Sequence, residues 1–329
     1  MIINHLALIA GLAILVFAAD HFVLGASRVA GELNMPTVVI GAVVIGFGTS
    51  LPEMVVSIVA AGGGDRDLGV GNIIGSNVAN LGLVLGVAAM IATMSISKTT
   101  LRREIPMSLA ATGLFAAFYV DGEVQRWEGI VMLVALIAAV LFLIRSGMTE
   151  ALEETDGDVL LLTEVGRTVG GLIGVVIGAQ LVVSGATGLA DQWGLTGGFV
   201  GFSMVALGTS LPELVTTFAC ARRGETGLII GNLFGSNLFN SLAVGGGMGL
   251  VGPGLIGDDL LTSWGIGAML AVSLIAFALC ARNRLIRRVD GVVLVALYLG
   301  SMVLLGLGAS DDDETGSPSG QTVPFVASR

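Results

Sequence analysis

The chain repeats itself. Residues 41–86 read GAVVIGFGTSLPEMVVSIVAAGGGDRDLGVGNIIGSNVANLGLVLG, and residues 201–246 read GFSMVALGTSLPELVTTFACARRGETGLIIGNLFGSNLFNSLAVGG. The two segments align at an offset of 160 without a gap, and about 19 of 46 positions are identical. The match reaches further back, where Gly25-Ala26-Ser27 aligns with Gly185-Ala186-Thr187. The chain is therefore a duplication, and any fold proposed for it must be made of two like halves.

Each half is too apolar for a water-soluble domain. The sequence is 54% hydrophobic and 12% charged, whereas soluble domains carry roughly 25% charged residues. Apolar runs recur near 4–26, 36–62, 68–92, 105–120, 127–145, 166–190, 195–220, 227–251, 264–281 and 290–308. A helix needs about 20 apolar residues to cross the hydrocarbon core. The pattern predicts an all-α membrane protein with ten transmembrane helices, five per copy. Residues 1–145 form the first repeat, 146–165 an acidic cytoplasmic linker, 166–308 the second repeat, and 309–329 an acidic tail of disordered composition. The first run is long enough to remain as a helix, and no cleavable signal is expected. Most of the 50 glycines fall inside the apolar runs, where small residues let helix backbones approach closely.

Five is odd, so the second copy must enter the membrane the other way up. Loop charges test this independently, because basic residues collect on the cytoplasmic side. Loops after the odd-numbered runs hold Arg28; Lys98, Arg102 and Arg103; Arg145 and Arg167; Arg222 and Arg223; and Arg282, Arg284, Arg287 and Arg288. The other side holds Arg66 and Arg126, with Arg329 far out on the tail. This places both termini outside a multi-pass cell-membrane protein and the linker inside. Inverted repeats are a common plan of secondary transporters, with the binding site near the bilayer midplane at the interface of the halves.

The motif Gly48-Thr49-Ser50-Leu51-Pro52-Glu53 lies near the middle of its run, and Gly208-Thr209-Ser210-Leu211-Pro212-Glu213 is its twin. A carboxylate at that depth costs several kcal/mol and needs a partner. No lysine, arginine or histidine falls at the same depth, so a bound cation is the simplest one. Pro52 has no N–H and clashes with the carbonyl four residues back. With Gly48 it predicts a helix broken into two halves, freeing carbonyls near 46–49 and 206–209. Thr49 and Ser50 add hydroxyl oxygens. The bland reading, a proline-kinked helix with a protonated glutamate, explains one copy better than two.

The second element is GNIIGSN–N at 71–80, with its twin at 231–240. Ser76 and Asn80 stand one helical turn apart and share a face; Asn72 and Asn77 point elsewhere, where structural hydrogen bonds are expected. Two carboxylates, two asparagines and several hydroxyls and carbonyls make a hard, all-oxygen site. Calcium takes 6–8 oxygens in flexible geometry, and the thiolate and imidazole ligands that favour zinc or copper are missing. The ions expected are calcium, sodium or both. No GxxxxGK[ST] motif is present, so the driving energy is an ion gradient. His5 and His21 are the only histidines and neither is near the motifs, which argues against an intramembrane hydrolase.

With these motifs the chain resembles the cation/calcium exchanger superfamily, and within it the prokaryotic sodium/calcium exchangers, over about residues 4–308. The resemblance implies ten helices in an inverted 5+5 arrangement with four ion sites at the centre. It implies that Glu53 and Glu213 bind both ions, and that the carbonyls of Thr49 and Thr209 join the calcium site. Ser50, Ser76, Ser210 and Ser236, with the carbonyls of Gly46 and Ala206, would line the sodium sites, and Asn80 and Asn240 would close the middle. It implies no cofactor, no enzymatic activity, and calcium, sodium and the lipid bilayer as partners. No nucleic acid or protein partner is expected. Potassium-dependent relatives carry aspartate at the position of Asn240, and calcium/proton exchangers carry a shorter GNA–E pattern; this chain departs from both. Calcium/proton exchange in the same fold and a passive cation channel are the alternatives.

The remaining polar residues read as structural or solvated. Asp20 and His21 are expected at an interface or in packing, Asp65 and Asp67 in solvent, and Arg102, Arg103 and Glu104 in an exposed charge cluster. Cys220 and Cys280 read as small packing residues. The net charge of −10, with Lys98 the only lysine, suggests a source that lives in high salt.

Overall fold

A computed structural model describes residues 2–149, 161–192 and 208–314. It is helical almost throughout. The helices are α1 (Ile2–Glu32), α2 (Thr37–Thr49), α3 (Leu51–Gly62), α4 (Arg66–Ile91), α5 (Glu104–Tyr119), α6 (Arg126–Thr149), α7 (Leu161–Gln192), α8 (Leu211–Arg223), α9 (Thr226–Val251), α10 (Leu261–Asn283) and α11 (Arg288–Glu314). Each of the ten apolar runs is helical in its described part; the run at 195–220 is described only from Gly208. Among the described residues six helices are long and apolar enough to span a bilayer, and α2 with α3 makes a seventh as a bent pair. Helix reaches into both ends of the 146–165 segment, from α6 and from α7, and 150–160 lies outside the described residues. Helix α11 likewise continues to Glu314, through the acidic residues that open the tail.

Polarity is arranged as lipid demands. Helices α4 and α9 are the most buried spans, 78% and 94% within their apolar windows, and they carry the asparagines and serines of the motif. The peripheral helices are oily and face outward. Ile3, Leu6 and Phe17 of α1, Ile130, Val134 and Ile137 of α6, and Leu162, Ile173 and Ile177 of α7 are all exposed. With no water in the bilayer core, polar side chains must find partners inside the protein, so the helices that carry the motif's asparagines and serines occupy its centre.

Glycine sets how closely the spans approach. Helices α1 and α7 pack along each other with backbones in contact. A Cβ on Gly11 would lie 2.8 Å from the Val182 nitrogen, and one on Gly178 would lie 2.9 Å from the Leu15 nitrogen. Helix α2 meets α9 in the same way, at Gly41 and Gly231 and again at Gly46.

Two short antiparallel ribbons tie the copies together. Strand β1 (Met94–Ser95) pairs with β4 (Leu285–Ile286), with Met94 opposite Ile286; β2 (Glu123–Val124) pairs with β3 (Gly254–Leu255), with Val124 opposite Gly254. Strands β1 and β3 are twins at an offset of 160, and β2 and β4 are twins at 162. Exchanging the copies therefore turns one ribbon into the other. The slip of two residues persists into the next helices. The Gln125 N–H donates to Glu128 where α6 starts, and the Arg287 N–H donates to Asp290 where α11 starts.

Four stretches are wound as π-helix: Gly41–Gly46, Ala79–Val84, Asn240–Val244 and Leu261–Gly265. The second and third are twins and begin beside Asn80 and at Asn240. A π-turn adds a residue to a helical turn and is common beside functional sites.

Candidate functional site

The break between α2 and α3 is 46° and falls on Ser50, whose φ of −83° and ψ of 4° leave the helical region. Its twin Ser210 has φ −85° and ψ 2° before α8. Proline then opens the new helix in both copies, where its missing N–H costs nothing. Glu53 and Glu213 sit in the first turn of α3 and α8, the end at which a helix dipole favours negative charge. The sequence thus folds each carboxylate onto a helix N-terminus pointing inward, and both are fully buried.

The halves are stitched by reciprocal hydrogen bonds. The Thr49 hydroxyl lies 3.0 Å from the Ile45 carbonyl and 3.2 Å from Oδ1 of Asn232. The Thr209 hydroxyl donates to Oδ1 of Asn72 at 3.3 Å. Asn72 donates to the Ser57 hydroxyl at 3.0 Å, and Asn232 to the Thr217 hydroxyl at 3.2 Å. Each broken helix is thereby held to the opposite copy. Deeper in, Asn80 donates to Oδ1 of Asn237 at 3.0 Å, and Asn237 to the Asn77 carbonyl at 3.1 Å.

Around the two glutamates, polar atoms outnumber partners. Ser50 donates to Oε1 of Glu213 at 3.2 Å. The Ser236 hydroxyl lies 3.2 Å from the Gly46 carbonyl and 3.5 Å from the same glutamate oxygen. Gly46 is thus at the site, but its carbonyl is not free: it also accepts from the Ser50 N–H at 3.2 Å. Both carboxylate oxygens of Glu53, Oε2 of Glu213, the hydroxyls of Ser76 and Ser210, Oδ1 of Asn80 and both side-chain polar atoms of Asn240 are buried with no hydrogen-bond partner among the described residues. No Lys, Arg or His pairs with either glutamate there. A buried polar group without a partner costs about 1–3 kcal/mol, and more when charged. A hard cation is the ligand that this donor set fits.

Of the twelve residues expected at the site, eleven are described, and all eleven are buried. Ala206 lies outside the described residues. Three more were missed. Thr216 is buried one turn after Glu213, with a hydroxyl that finds no partner. Ser57 and Thr217 brace Asn72 and Asn232. A hydroxyl kept in both copies four residues after each glutamate was the available signal. Asp65 and Asp67 are not simply solvated. Asp65 caps α4 by accepting from the Leu68 N–H, and Asp67 accepts from the Gly257 N–H at 2.7 Å. Asp20 makes an ion pair with Arg223. Glu104 is buried rather than exposed, and both cysteines are free and buried.

Comparison with known proteins gives the family. The family described as sodium/calcium exchanger protein matches residues 4–145 and 164–307. The inner membrane protein YrbG of Escherichia coli is 35% identical over 86% of this chain and 90% of its own. The sodium/calcium exchanger MaX1 of Methanosarcina acetivorans is 30% identical over 92% of this chain and 98% of its own. Solved structures of the sodium-calcium exchanger NCX_Mj superpose with a TM-score of 0.82 at 31% identity, covering 92% of this chain and 98% of that one. The chain belongs to the sodium/calcium exchanger family.

Proposed function

We propose that this protein is a secondary-active antiporter that exchanges calcium for sodium by alternating access at a site shared between its two copies. The observation that carries this reading is the pair Glu53 and Glu213. They are fully buried, each at the start of a half-helix from a different copy, with no protein cation beside them among the described residues. Sodium and calcium compete for these two carboxylates, so release of one permits binding of the other. An empty site leaves two uncompensated charges in low dielectric, which disfavours crossing unloaded and makes exchange obligatory. The proposed ligands are Glu53 and Glu213, the carbonyls of Thr49, Thr209, Gly46 and Ala206, the hydroxyls of Ser50, Ser76, Ser210 and Ser236, and the side-chain oxygens of Asn80 and Asn240. The pairing of ions draws support from the printed identities of MaX1 and NCX_Mj as sodium/calcium exchangers.

The proposed frame is ten helices as two inverted five-helix repeats, 1–145 and 166–308, with both termini outside and the 146–165 linker inside. Two independent features support it: the ribbons that interchange when the copies are exchanged, and loop cations divided 12 against 2 when the distal Arg329 is set aside. Helices α1 and α7, packed on each other and lacking site residues, are the proposed moving pair.

The test is calcium-45 uptake into proteoliposomes driven by an outward sodium gradient. Glu53→Ala and Glu213→Ala should each abolish it; uptake retained in both variants would refute the site. The same assay with a pH jump in place of sodium decides against calcium/proton exchange, and flux without any counter-ion would indicate a channel.

A further inference from the structure

The duplicated fold builds the same corner twice, once beside each ribbon, and the two corners carry opposite charge. Beside β4, the end of α10 and the short helix Lys98–Arg102 enclose a cleft of about 490 Å³ lined by Lys98, Arg102, Arg282 and Arg284. In the matching corner beside β2, Lys98 is replaced by Asp258, Arg102 by Thr262, Arg282 by Val120 and Arg284 by Gly122, and Asp121 and Glu123 stand close by. Packing of the shared fold therefore does not require the four cations.

Arg284 makes the point most clearly. Its φ is +54°, in the left-handed region, and the matching Gly122 has φ +79°. Glycine adopts that conformation freely, whereas a side chain there is strained. The second copy retains an arginine where the fold alone favours glycine. Lys98, Arg102 and Arg284 make no ion pair among the described residues and are exposed. Arg282 donates to Asp290 at 2.9 Å, and the other nearby carboxylate, Glu104, is buried. The cleft thus keeps a net positive charge. Spans α4 and α11 end at this ribbon and expose Ile91, Val289 and Val292, so the cations stand where oily surface gives way to polar surface.

We propose that this cleft binds the phosphate of an anionic phospholipid headgroup. Guanidinium groups suit phosphate oxygens, and basic pockets at the cytoplasmic ends of membrane helices take such headgroups. Free phosphate shares the chemistry; the lipid is favoured because apolar surface adjoins the cleft.

The experiment is native mass spectrometry of the full-length protein in detergent with added phosphatidylglycerol or phosphatidylcholine. The wild type should retain phosphatidylglycerol in preference. Lys98→Gln, Arg102→Gln and Arg284→Gln together should weaken retention by about fivefold for each neutralised cation, the equivalent of about 1 kcal/mol each. The double variant Arg126→Gln with Arg222→Gln should leave it unchanged. Arg284→Gly separates binding from folding: it should hold or raise the melting temperature while lowering phosphatidylglycerol retention. Equal retention of the two lipids, or a triple variant that binds as the wild type does, would overturn the proposal. So would inorganic phosphate that raises the melting temperature on its own and displaces phosphatidylglycerol, since the cleft would then serve free phosphate.

Discussion

Glu53 illustrates how a residue is placed by local rules and made costly by its surroundings. Proline at the first turn and the helix dipole both favour an acid at this position, but neither supplies a counter-charge. Neither of its carboxylate oxygens accepts a hydrogen bond among the described residues. Glu53→Gln keeps the shape and removes the charge. In buffer free of calcium and sodium it should raise the melting temperature in detergent, because truncation of an uncompensated charge relieves desolvation. Calcium should then stabilise the wild type, as any ligand selective for the folded state does, and leave Glu53→Gln unmoved. A variant that melts below the wild type in ion-free buffer would contradict this account. Asn72 and Asn232 work differently, as braces between the copies. Asn232→Ala removes the donor to the Thr217 hydroxyl and the link from Thr49 across the copies, leaving Thr49 its bond to the Ile45 carbonyl, and should cost about 1–3 kcal/mol of stability, read as an earlier unfolding midpoint.

At the scale of elements, the broken helix was legible because two causes coincide in one hexapeptide: a proline that cannot continue the ladder and a glutamate that lipid would not accept. Duplication then doubled the signal. The π-turns were not legible. Nothing in the composition of 79–84 distinguishes a π-helical winding from an ordinary α-helical turn. The bracing pairs were also hidden, because Thr49 and Asn232 are 183 residues apart. Asn72 was read as a structural hydrogen bonder, and it is one, but its partner across the duplication needed coordinates. The crossing of α1 and α7 sits between these cases: its glycines are plain in the sequence, its register is not. Gly178→Val puts branched carbon against the Leu15 backbone, where even a Cβ would lie at 2.9 Å. Overpacking of this kind costs about 1–3 kcal/mol, and the variant should melt earlier. Gly113→Val on α5, where a Cβ would meet nothing within 4 Å, should not.

At the scale of the whole molecule, the two halves share a fold and differ in charge. One ribbon corner carries Lys98, Arg102, Arg282 and Arg284, and its counterpart carries Asp121, Glu123, Asp258 and Asp259. If the copies lay the same way up, their matching corners would face the same compartment and the charge division would serve no orientation. If they are inverted, every cytoplasmic corner is basic and every external one acidic, as the positive-inside rule requires. Single cysteines separate the two arrangements. Lys98→Cys and Asp259→Cys occupy matching corners, and both native side chains are exposed. The native Cys220 and Cys280 are buried, and each can be replaced by alanine to clear the background. A membrane-impermeant maleimide added to intact cells should label Asp259→Cys at once and Lys98→Cys only after lysis. Labelling of both from outside would contradict the inverted arrangement of the repeats.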